Sequence, residues 1–212
     1  MKLQSLVSLL ALLTLGLLAG CQHTTPQSEE ARDNRHDEVQ TALREMNRAD
    51  PDLQEFLNKS AGYAMFSDVG KAGFIVGAAV GNGEAYEGGQ MVGYCKIIQG
   101  SVGLQAGAQA FDELVVFETR QAMRKFEDEK LEFGANASAI VLKAGAAKTA
   151  SFRDGVAVFV HPKGGAMAEL SVSGQKFQYE ALRDDRRMET RESTGSTETR
   201  TETRTEERRT NP

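Results

Sequence analysis

The sequence predicts an α+β fold: a glycine-rich, mostly antiparallel and curved sheet, combined with N-terminal helices and one short inserted helix. Three observations support this prediction. Apolar residues follow helical spacing over residues 37–57, β-like and glycine-rich runs occupy residues 62–179, and helical spacing returns at residues 119–127. Because glycine weakens a strand, its repeated use inside strands indicates bends, bulges or close backbone approach. These features suit a curved sheet, a sandwich or a partly closed barrel.

Residues 1–20 are typical of a secretory signal peptide. Lys2 precedes an apolar run over residues 6–18, which is shorter than the ~20 apolar residues that a membrane-spanning helix needs. Residues 18–21 (Leu-Ala-Gly-Cys) resemble the lipobox of bacterial lipoproteins. The resemblance implies that the Cys21 thiol receives a diacylglyceryl group, that the signal is cut before Cys21, and that a fatty acid such as palmitate acylates the new amino terminus. Several acyl chains together give stable membrane anchoring.

The residues after the lipobox indicate where the protein is held. Gln22 rather than Asp follows the cysteine, and by resemblance to the sorting rules of bacterial lipoproteins this implies the outer membrane. The expected location is therefore the bacterial cell envelope, with the chain lipid-anchored and facing the periplasm. Residues 21–36, which are mostly polar, are predicted to be a tether between the lipid and the folded domain.

Two helices are predicted at the start of the domain, which we assign to residues 37–182. Asp50 and Pro51 mark a break between them, because Asp can cap a helix and Pro suits the first helical position. The predicted apolar stripes are Val39, Ala42, Leu43 and Met46 in the first helix and Leu53, Phe56 and Leu57 in the second.

The first half of the predicted sheet contains two expected turns, at Asn82-Gly83 and at Gly88-Gly89. Residues 101–110 alternate between apolar residues and Gly, Ser or Gln, and are therefore predicted to form one half-buried strand. The strand candidates in this half are residues 62–66, 73–81, 84–87, 91–99, 101–110 and 114–117.

The inserted helix is predicted at residues 119–127, with Thr119 as its N-cap and Ala122, Met123 and Phe126 as its inner stripe. A turn is expected at residues 161–165. Further strands are predicted at residues 156–160, 166–172 and 176–179.

The last segment, residues 183–212, is predicted to be a disordered tail rich in Thr, Glu and Arg. It contains no apolar residue after Met188, and its eight acidic residues balance its eight basic ones. Such a segment buries too little apolar surface to offset the entropy of ordering. The tail is a candidate for binding an envelope protein or a glycan.

Charge and motifs exclude several classes of function. The net charge of −5 argues against a general nucleic-acid binder, and two Cys cannot form a four-thiolate zinc site. The sequence contains neither HExxH nor GxSxG. Cys95 lies in a strand-like run and is predicted to be a buried structural thiol, and His161 is predicted to be a turn residue. We therefore expect no enzymatic activity, no cofactor and no metal.

Five motifs, in order and at similar spacing, resemble the SYLF domain over about residues 37–180. They are Gly62-Tyr63-Ala64-Met65-Phe66, Gly70-Lys71-Ala72-Gly73-Phe74, Gly77 with Gly81-Asn82-Gly83, residues 100–109 (GSVGLQAGAQ), and Phe117-Glu118-Thr119 with Ala122 and Phe126 followed by residues 133–139 (FGANASA).

The resemblance implies lipid binding as a class. Eukaryotic members bind phosphoinositides and some fungal relatives bind actin filaments, but neither ligand is expected in a bacterial periplasm. The expected partner is therefore a phospholipid membrane. The candidate lipid-binding cations flank the matched motifs; they are Lys71, Lys96, Arg120, Arg124 and Lys125. The alternative is a structural or interaction module of the envelope that recruits a protein or glycan.

Overall fold

The computed structural model describes residues 24–73, 76–102, 107–131, 133, 139–163 and 174–182. Its architecture is α+β: a seven-stranded, mostly antiparallel sheet carries N-terminal helices and a short helix after the fourth strand. This confirms the predicted fold class. One compact unit extends to Glu180, and a second unit begins at Ala181, of which only residues 181 and 182 are described.

The described residues form four helices and seven strands. The helices are α1 (Glu29–Ala49), α2 (Leu53–Asn58), α3 (Arg120–Glu127) and α4 (Ala146–Thr149). The strands are β1 (Gly62–Gly73), β2 (Val76–Glu87), β3 (Gln90–Val102), β4 (Gly107–Phe117), β5 (Ile140–Val141), β6 (Val156–Pro162) and β7 (Gln175–Ala181).

The sheet has the strand order β5-β6-β4-β1-β2-β3-β7. β1 lies near its centre, because Gly62 pairs with Glu87 of β2 on one side and with Phe117 of β4 on the other. β5 pairs with β6 in parallel, whereas the β1–β2, β1–β4, β2–β3 and β4–β6 pairs are antiparallel. The four longest strands therefore lie side by side in the order β4-β1-β2-β3.

The sheet curls over one of its faces. Phe177 of the edge strand β7 packs against Phe66 of the central strand β1, with ring centroids 5.8 Å apart. Gln175, also on β7, donates a buried hydrogen bond to Glu113 of β4. A flat sheet would hold β7 and β4 four strand spacings, roughly 19 Å, apart. The curl brings these edge and central strands together, although the sheet is not closed.

The core has two parts, one on each face of the sheet. On the helix-bearing face, Met65, Tyr86 and Leu114 pack under α1, α2 and α4. On the inner face of the curl, Phe66 and Phe111 pack with residues of α3 and β7.

Helix α1 begins at Glu29, eight residues before the start predicted from the apolar spacing. The Ser28 side chain caps it, accepting a hydrogen bond from the Ala31 backbone N–H at 3.1 Å. The first two turns are exposed and carry no apolar stripe, so the apolar pattern missed them. Part of the predicted tether over residues 21–36 is therefore helical. The predicted stripe itself is confirmed, because Val39, Ala42, Leu43 and Met46 are all buried.

Asp50 does not cap α2 as predicted, since the N-cap position of α2 is Asp52. Asp50 is fully buried instead, and its carboxylate accepts N–H groups from Asp52, Gly145 and Ala147 at 3.2, 3.1 and 2.6 Å. Two of these donors come from the segment that begins α4. Asp50 therefore ties the end of α1 to a part of the chain 95 residues away.

The turn predicted at Asn82-Gly83 is wrong, because β2 runs continuously through both residues. Gly83 is required there for a different reason: a methyl group at this position would collide with the Met65 carbonyl oxygen of β1. Close backbone approach, beside the bulge in β1, explains this glycine. The turn predicted at Gly88-Gly89 is confirmed, and both glycines have positive φ angles of 58° and 79°.

Other boundaries differ from the predictions. Residues 101–110 are not one strand, because β3 ends at Val102 and β4 begins at Gly107, on the far side of β1 and β2 from β3. His161 lies in β6 opposite Asp112 rather than in a turn. The predicted strand at residues 166–172 lies outside the described residues, and α4 was not predicted.

Candidate lipid-binding surfaces

Three of the five predicted cations lie on α3, which packs on the inner face of the sheet. Thr119 caps this helix as predicted, accepting the Ala122 N–H at 3.2 Å. Ala122, Met123 and Phe126 are buried beneath it, as the spacing predicted. Because the buried stripe fixes the rotation of the helix, Arg120, Arg124 and Lys125 are exposed on its outer side.

The outer side of α3 has balanced charge. Arg120 forms an ion pair with Glu87, at 2.9 Å between Nη1 and Oε1. The exposed or half-buried residues from 118 to 130 include four basic and four acidic side chains; they are Arg120, Arg124, Lys125 and Lys130, and Glu118, Glu127, Asp128 and Glu129. Such a surface attracts anions weakly, since its basic and acidic side chains are equal in number.

Lys96 and Lys71 lie elsewhere, toward the far ends of the long strands. Lys96 is half-buried on β3 opposite Asn82 of β2. Lys71 pairs through its backbone with Ala79 and Gln109, and its side chain is outside what the structure describes. Along β1, Lys71 is nine residues from Gly62, which adjoins α3, and this separation corresponds to roughly 30 Å. The structure therefore does not bring the five predicted cations together.

A surface that was not predicted lies on the helix-bearing face, at the far ends of the long strands. Val80 of β2 and Ile98 of β3 are directly opposite each other, and 42% and 37% of their surfaces are exposed. The neighbouring positions in register are Gly70, Ala78 and Gly100, which are also exposed. We call these five residues the open sheet surface. All five are uncharged, and only Val80 and Ile98 project large side chains.

The open sheet surface is exposed because α1 crosses the sheet at another level. His36 of α1 contacts Glu84 of β2 at 3.0 Å, and Gln40 of α1 donates to the Tyr86 hydroxyl at 2.9 Å. Val80 lies four residues beyond Glu84 on the same face, or about 13 Å along the strand. A helix is about 10–12 Å in diameter with its side chains, so α1 leaves Val80 and Ile98 uncovered.

The contact between α1 and β2 is polar at its centre. Glu84 is fully buried. Its carboxylate accepts a hydrogen bond from the Tyr86 hydroxyl and also contacts His36 Nδ1. Burial, reinforced by the hydrogen bond to Glu84, raises the pKa of Tyr86 far above its ordinary value, so this phenol is a fixed donor. The network holds α1 in one position across the sheet.

The other edge of the open sheet surface carries a compensated charge cluster. Lys163 Nζ lies 2.6 Å from Asp68 Oδ1 and 3.0 Å from Asp112 Oδ1. Burial raises the pKa of Asp112, while hydrogen bonds from the Asp68 backbone and Lys163 act in the opposite direction. Lys163 is therefore already paired, and Lys96 is the predicted cation that lies next to Ile98 on this face.

Several other predicted features can be placed. Cys95 is fully buried, as predicted, and burial raises the pKa of its thiol well above the ordinary value, which suits a structural role. Among the described residues, no group of His, Cys, Asp and Glu is arranged to hold a metal ion. None of the helices in the described ranges combines the length and apolar character that crossing a bilayer requires. Cys21 lies outside the described residues, so its lipidation stays a prediction.

The family comparison agrees with the fold and with the motifs. Residues 98–186 match the family model described as "Ysc84: Las17-binding protein actin regulator". This match confirms, over residues 98–186, the resemblance to the Ysc84, or SYLF, family seen in the sequence. No curated protein matches the chain.

The matched segment begins near the end of β3, yet the domain needs more of the chain. β1 and β2 precede the match, and they lie between β4 and β3 in the sheet. The motifs quoted from residues 62–83 therefore belong to the same folded unit as the matched residues. The matched family is consistent with a lipid-binding or interaction module.

The sequence could have revealed the open sheet surface only in part. The alternation around Val80 and Ile98 indicates that each shares a strand face with Asn82 or Lys96, which are polar. Apolar residues in such positions are exposed if nothing covers that face. The missing information was the position of α1, which the sequence does not reveal.

Proposed function

We propose that the protein is a bacterial lipoprotein, acylated at Cys21 and held in the outer membrane facing the periplasm, whose SYLF domain binds phospholipid without catalysing a reaction. The observation that carries the binding part is the open sheet surface: an exposed, uncharged apolar pair on the face beside Lys96. The lipobox at residues 18–21 supports the anchoring part. The family of residues 98–186 is consistent with either lipid binding or interaction.

The absence of enzymatic activity is also part of the proposal. His161 and Asp112 face each other across β4 and β6, but Asp112 is engaged by Lys163 and by the Asp68 backbone. General acid–base catalysis needs a base that is free to accept a proton from a bound substrate. Asp112 serves instead to hold two strands and the bulge of β1 together.

The test is vesicle co-sedimentation of the chain from residue 22 to residue 212, which lacks the acylated cysteine. The vesicles are made of phosphatidylcholine alone or with phosphatidylglycerol, each at low and at high salt. Removing the acyl chains makes any binding a property of the protein. Binding to either vesicle supports the proposal, and no binding to any vesicle overturns its lipid-binding part.

The salt dependence distinguishes the two candidate surfaces. Binding through the cations of α3 would weaken at high salt, and the Arg120→Gln/Arg124→Gln variant would lose it. The matched control is Lys143→Gln/Lys148→Gln, which removes two exposed charges near α4. Binding through the open sheet surface would persist in both variants and at high salt.

An envelope interaction module is the second candidate function. The balanced charges on α3 favour it, because alternating charges of both signs suit a protein partner better than an anionic membrane. If no vesicle binds the chain, capture of an envelope protein or glycan by the full-length chain becomes the next experiment.

A further inference from the structure

We propose that the open sheet surface is where the domain meets the bilayer, with Val80 and Ile98 entering the interfacial region and the Lys96 ammonium reaching the lipid phosphates. This inference rests on the proposed function and specifies its site. It excludes the outer side of α3 as the membrane contact, because α3 packs on the inner face and the open sheet surface belongs to the helix-bearing face.

The shape and chemistry of the surface suit a bilayer. Val80 and Ile98 form a directly opposed cross-strand pair, so their side chains lie next to each other. Among the described residues, the neighbours of the pair toward the strand ends are the small residues Gly70, Ala78 and Gly100, which let this part of the sheet approach a flat surface. A methyl group at Gly70 or Gly100 would meet nothing within 4 Å, which shows how open both positions are.

Lys96 supplies the charge expected beside such a pair. It precedes Ile98 by two residues on β3 and therefore lies on the same face. A lysine can keep its alkyl stem along an apolar surface and extend its ammonium to a polar boundary. Val80 and Ile98 provide an apolar contact for the acyl-chain boundary, and Lys96 provides a cation for the headgroups.

The position of the chain's N-terminus indicates a membrane rather than another occupant. The Thr25 backbone N–H donates to Glu180 of β7 at 3.3 Å, and α1 then runs across the helix-bearing face to His36 over β2. Cys21 precedes Thr25 by four residues, a reach of at most about 14 Å. An acylated Cys21 would therefore hold the bilayer near Glu180, which alternates with the inner-face residue Tyr179 and whose backbone lies beside Gly93, five residues along β3 from Ile98.

The bilayer would meet the far ends of β2 and β3 and not lie flat on α1. The exposed and half-buried side chains of α1 include six carboxylates and four arginines, and this net negative charge does not favour contact with anionic lipids. The open sheet surface has no acidic residue among its five positions. Binding by this surface therefore depends mainly on apolar contact and weakly on salt.

The experiment uses the fact that the chain contains no Trp. The Ile98→Trp variant of the chain from residue 22 to residue 212, which lacks the acylated cysteine, is purified and mixed with phosphatidylethanolamine–phosphatidylglycerol vesicles that contain brominated lipids. Bromine atoms in the acyl chains quench only a tryptophan that enters the bilayer. The matched control is Gln121→Trp, at an exposed position on α3.

We expect quenching to be several-fold stronger in Ile98→Trp than in Gln121→Trp. Equal and weak quenching in both variants, with the protein still bound to vesicles, would overturn the inference and leave the proposed function intact. Stronger quenching in Gln121→Trp would assign the contact to α3 and also overturn the inference. Failure of the unmodified chain to associate with vesicles would instead overturn the proposed function.

A second measurement covers the case in which a tryptophan disturbs the sheet. The Val80→Ser/Ile98→Ser variant of the lipid-free chain should bind vesicles about tenfold or more weakly, because two exposed apolar side chains are lost. Unchanged binding by this variant contradicts the inference. A further outcome is that the unsubstituted chain self-associates in a concentration-dependent way. If this variant abolished that self-association and left vesicle binding unchanged, a second copy would occupy the surface and the inference would be wrong.

Discussion

Gln175 Nε2 donates a hydrogen bond of 3.0 Å to Glu113 Oε2, although three strands separate β7 from β4 in the sheet order. Both side chains are buried on the inner face of the curl. Two residues after Gln175, Phe177 packs against Phe66, Phe126 and Phe133. A polar bond and an aromatic cluster thus hold the edge strand over the centre of the sheet.

The acceptor of this hydrogen bond, the buried Glu113 carboxyl group, predicts how stability depends on pH. Burial raises the pKa of Glu113 from 4.5 to about 8, and the hydrogen bond from Gln175 only partly opposes this effect. Between these two pH values the folded state binds a proton that the unfolded state has released. The contribution of Glu113 to the free energy of unfolding should therefore fall as the pH rises from about 4.5 to about 8 and then level off.

The Glu113→Gln variant keeps the size and the hydrogen-bonding ability of the side chain but cannot ionise. At pH 9 we expect it to be more stable than the unmodified chain by a few kcal/mol, because the unmodified carboxylate is then charged inside the core. Urea unfolding of the lipid-free chain (residues 22–212) from pH 5 to pH 9 measures this. The control is Glu118→Gln, at the exposed position directly after β4, and it should leave the pH dependence unchanged. An equally steep pH dependence in Glu113→Gln would show that another group is responsible.

The sequence predicted those parts of the fold that depend on local patterns. The stripes of α1, α2 and α3 were correct, because apolar spacing on a helix follows from its 3.6-residue period. The cap at Thr119 and the Gly88-Gly89 turn were also correct, since both depend on residues within a few positions of each other. The exposed start of α1 was missed because it buries nothing.

The parts that sequence reasoning missed depend on distant contacts. Asn82-Gly83 looks like a hairpin turn, and only the nearby backbone of Met65 explains why a glycine lies within a continuous strand. Asp50 looks like a local cap, yet two of its three donors are about 95 residues away. The separation of Lys96 from the cations of α3 likewise depends on which face of the sheet each element packs against.

The three donors of Asp50 predict that this carboxylate is critical for stability. In the Asp50→Asn variant an amide NH₂ would face at least one backbone N–H, leaving a buried donor without an acceptor. We expect a loss of about 1–3 kcal/mol in the free energy of unfolding. Urea unfolding at pH 7 measures this loss.

The control for Asp50 is only two residues away. Asp52 is the N-cap of α2 but makes no side-chain capping hydrogen bond, and it is half-buried. Asp52→Asn makes the same chemical change and should alter stability by about 0.5 kcal/mol or less. Similar losses in both variants would contradict the role assigned to the buried carboxylate.

Two glycines of neighbouring strands predict opposite outcomes for the same substitution. A methyl group at Gly83 would overlap the Met65 carbonyl, so Gly83→Ala must push β1 and β2 apart. We expect it to destabilise the domain by about 1–3 kcal/mol. At Gly70 a methyl group meets nothing within 4 Å, so Gly70→Ala should be neutral or slightly stabilising. Thermal unfolding of both variants checks this, and a destabilised Gly70→Ala variant would be evidence against the strand geometry described for β1.

The Tyr86 hydroxyl links α1 to the sheet, and its removal should weaken that link. In Tyr86→Phe the buried Glu84 loses a donor and Gln40 loses its acceptor. Because Glu84 is fully buried, the loss leaves a poorly paired carboxylate, and we expect about 1–3 kcal/mol of destabilisation. Hydrogen exchange should also become faster in α1, since of this polar network only the contact between His36 and Glu84 then remains beside the apolar packing. Tyr63, which stacks on Tyr86 with ring centroids 5.0 Å apart, provides the control. Tyr63→Phe keeps the stacked ring and the Glu84 network, so exchange in α1 should match the unmodified chain. Equal protection of α1 in Tyr86→Phe and Tyr63→Phe would show that apolar packing alone positions this helix.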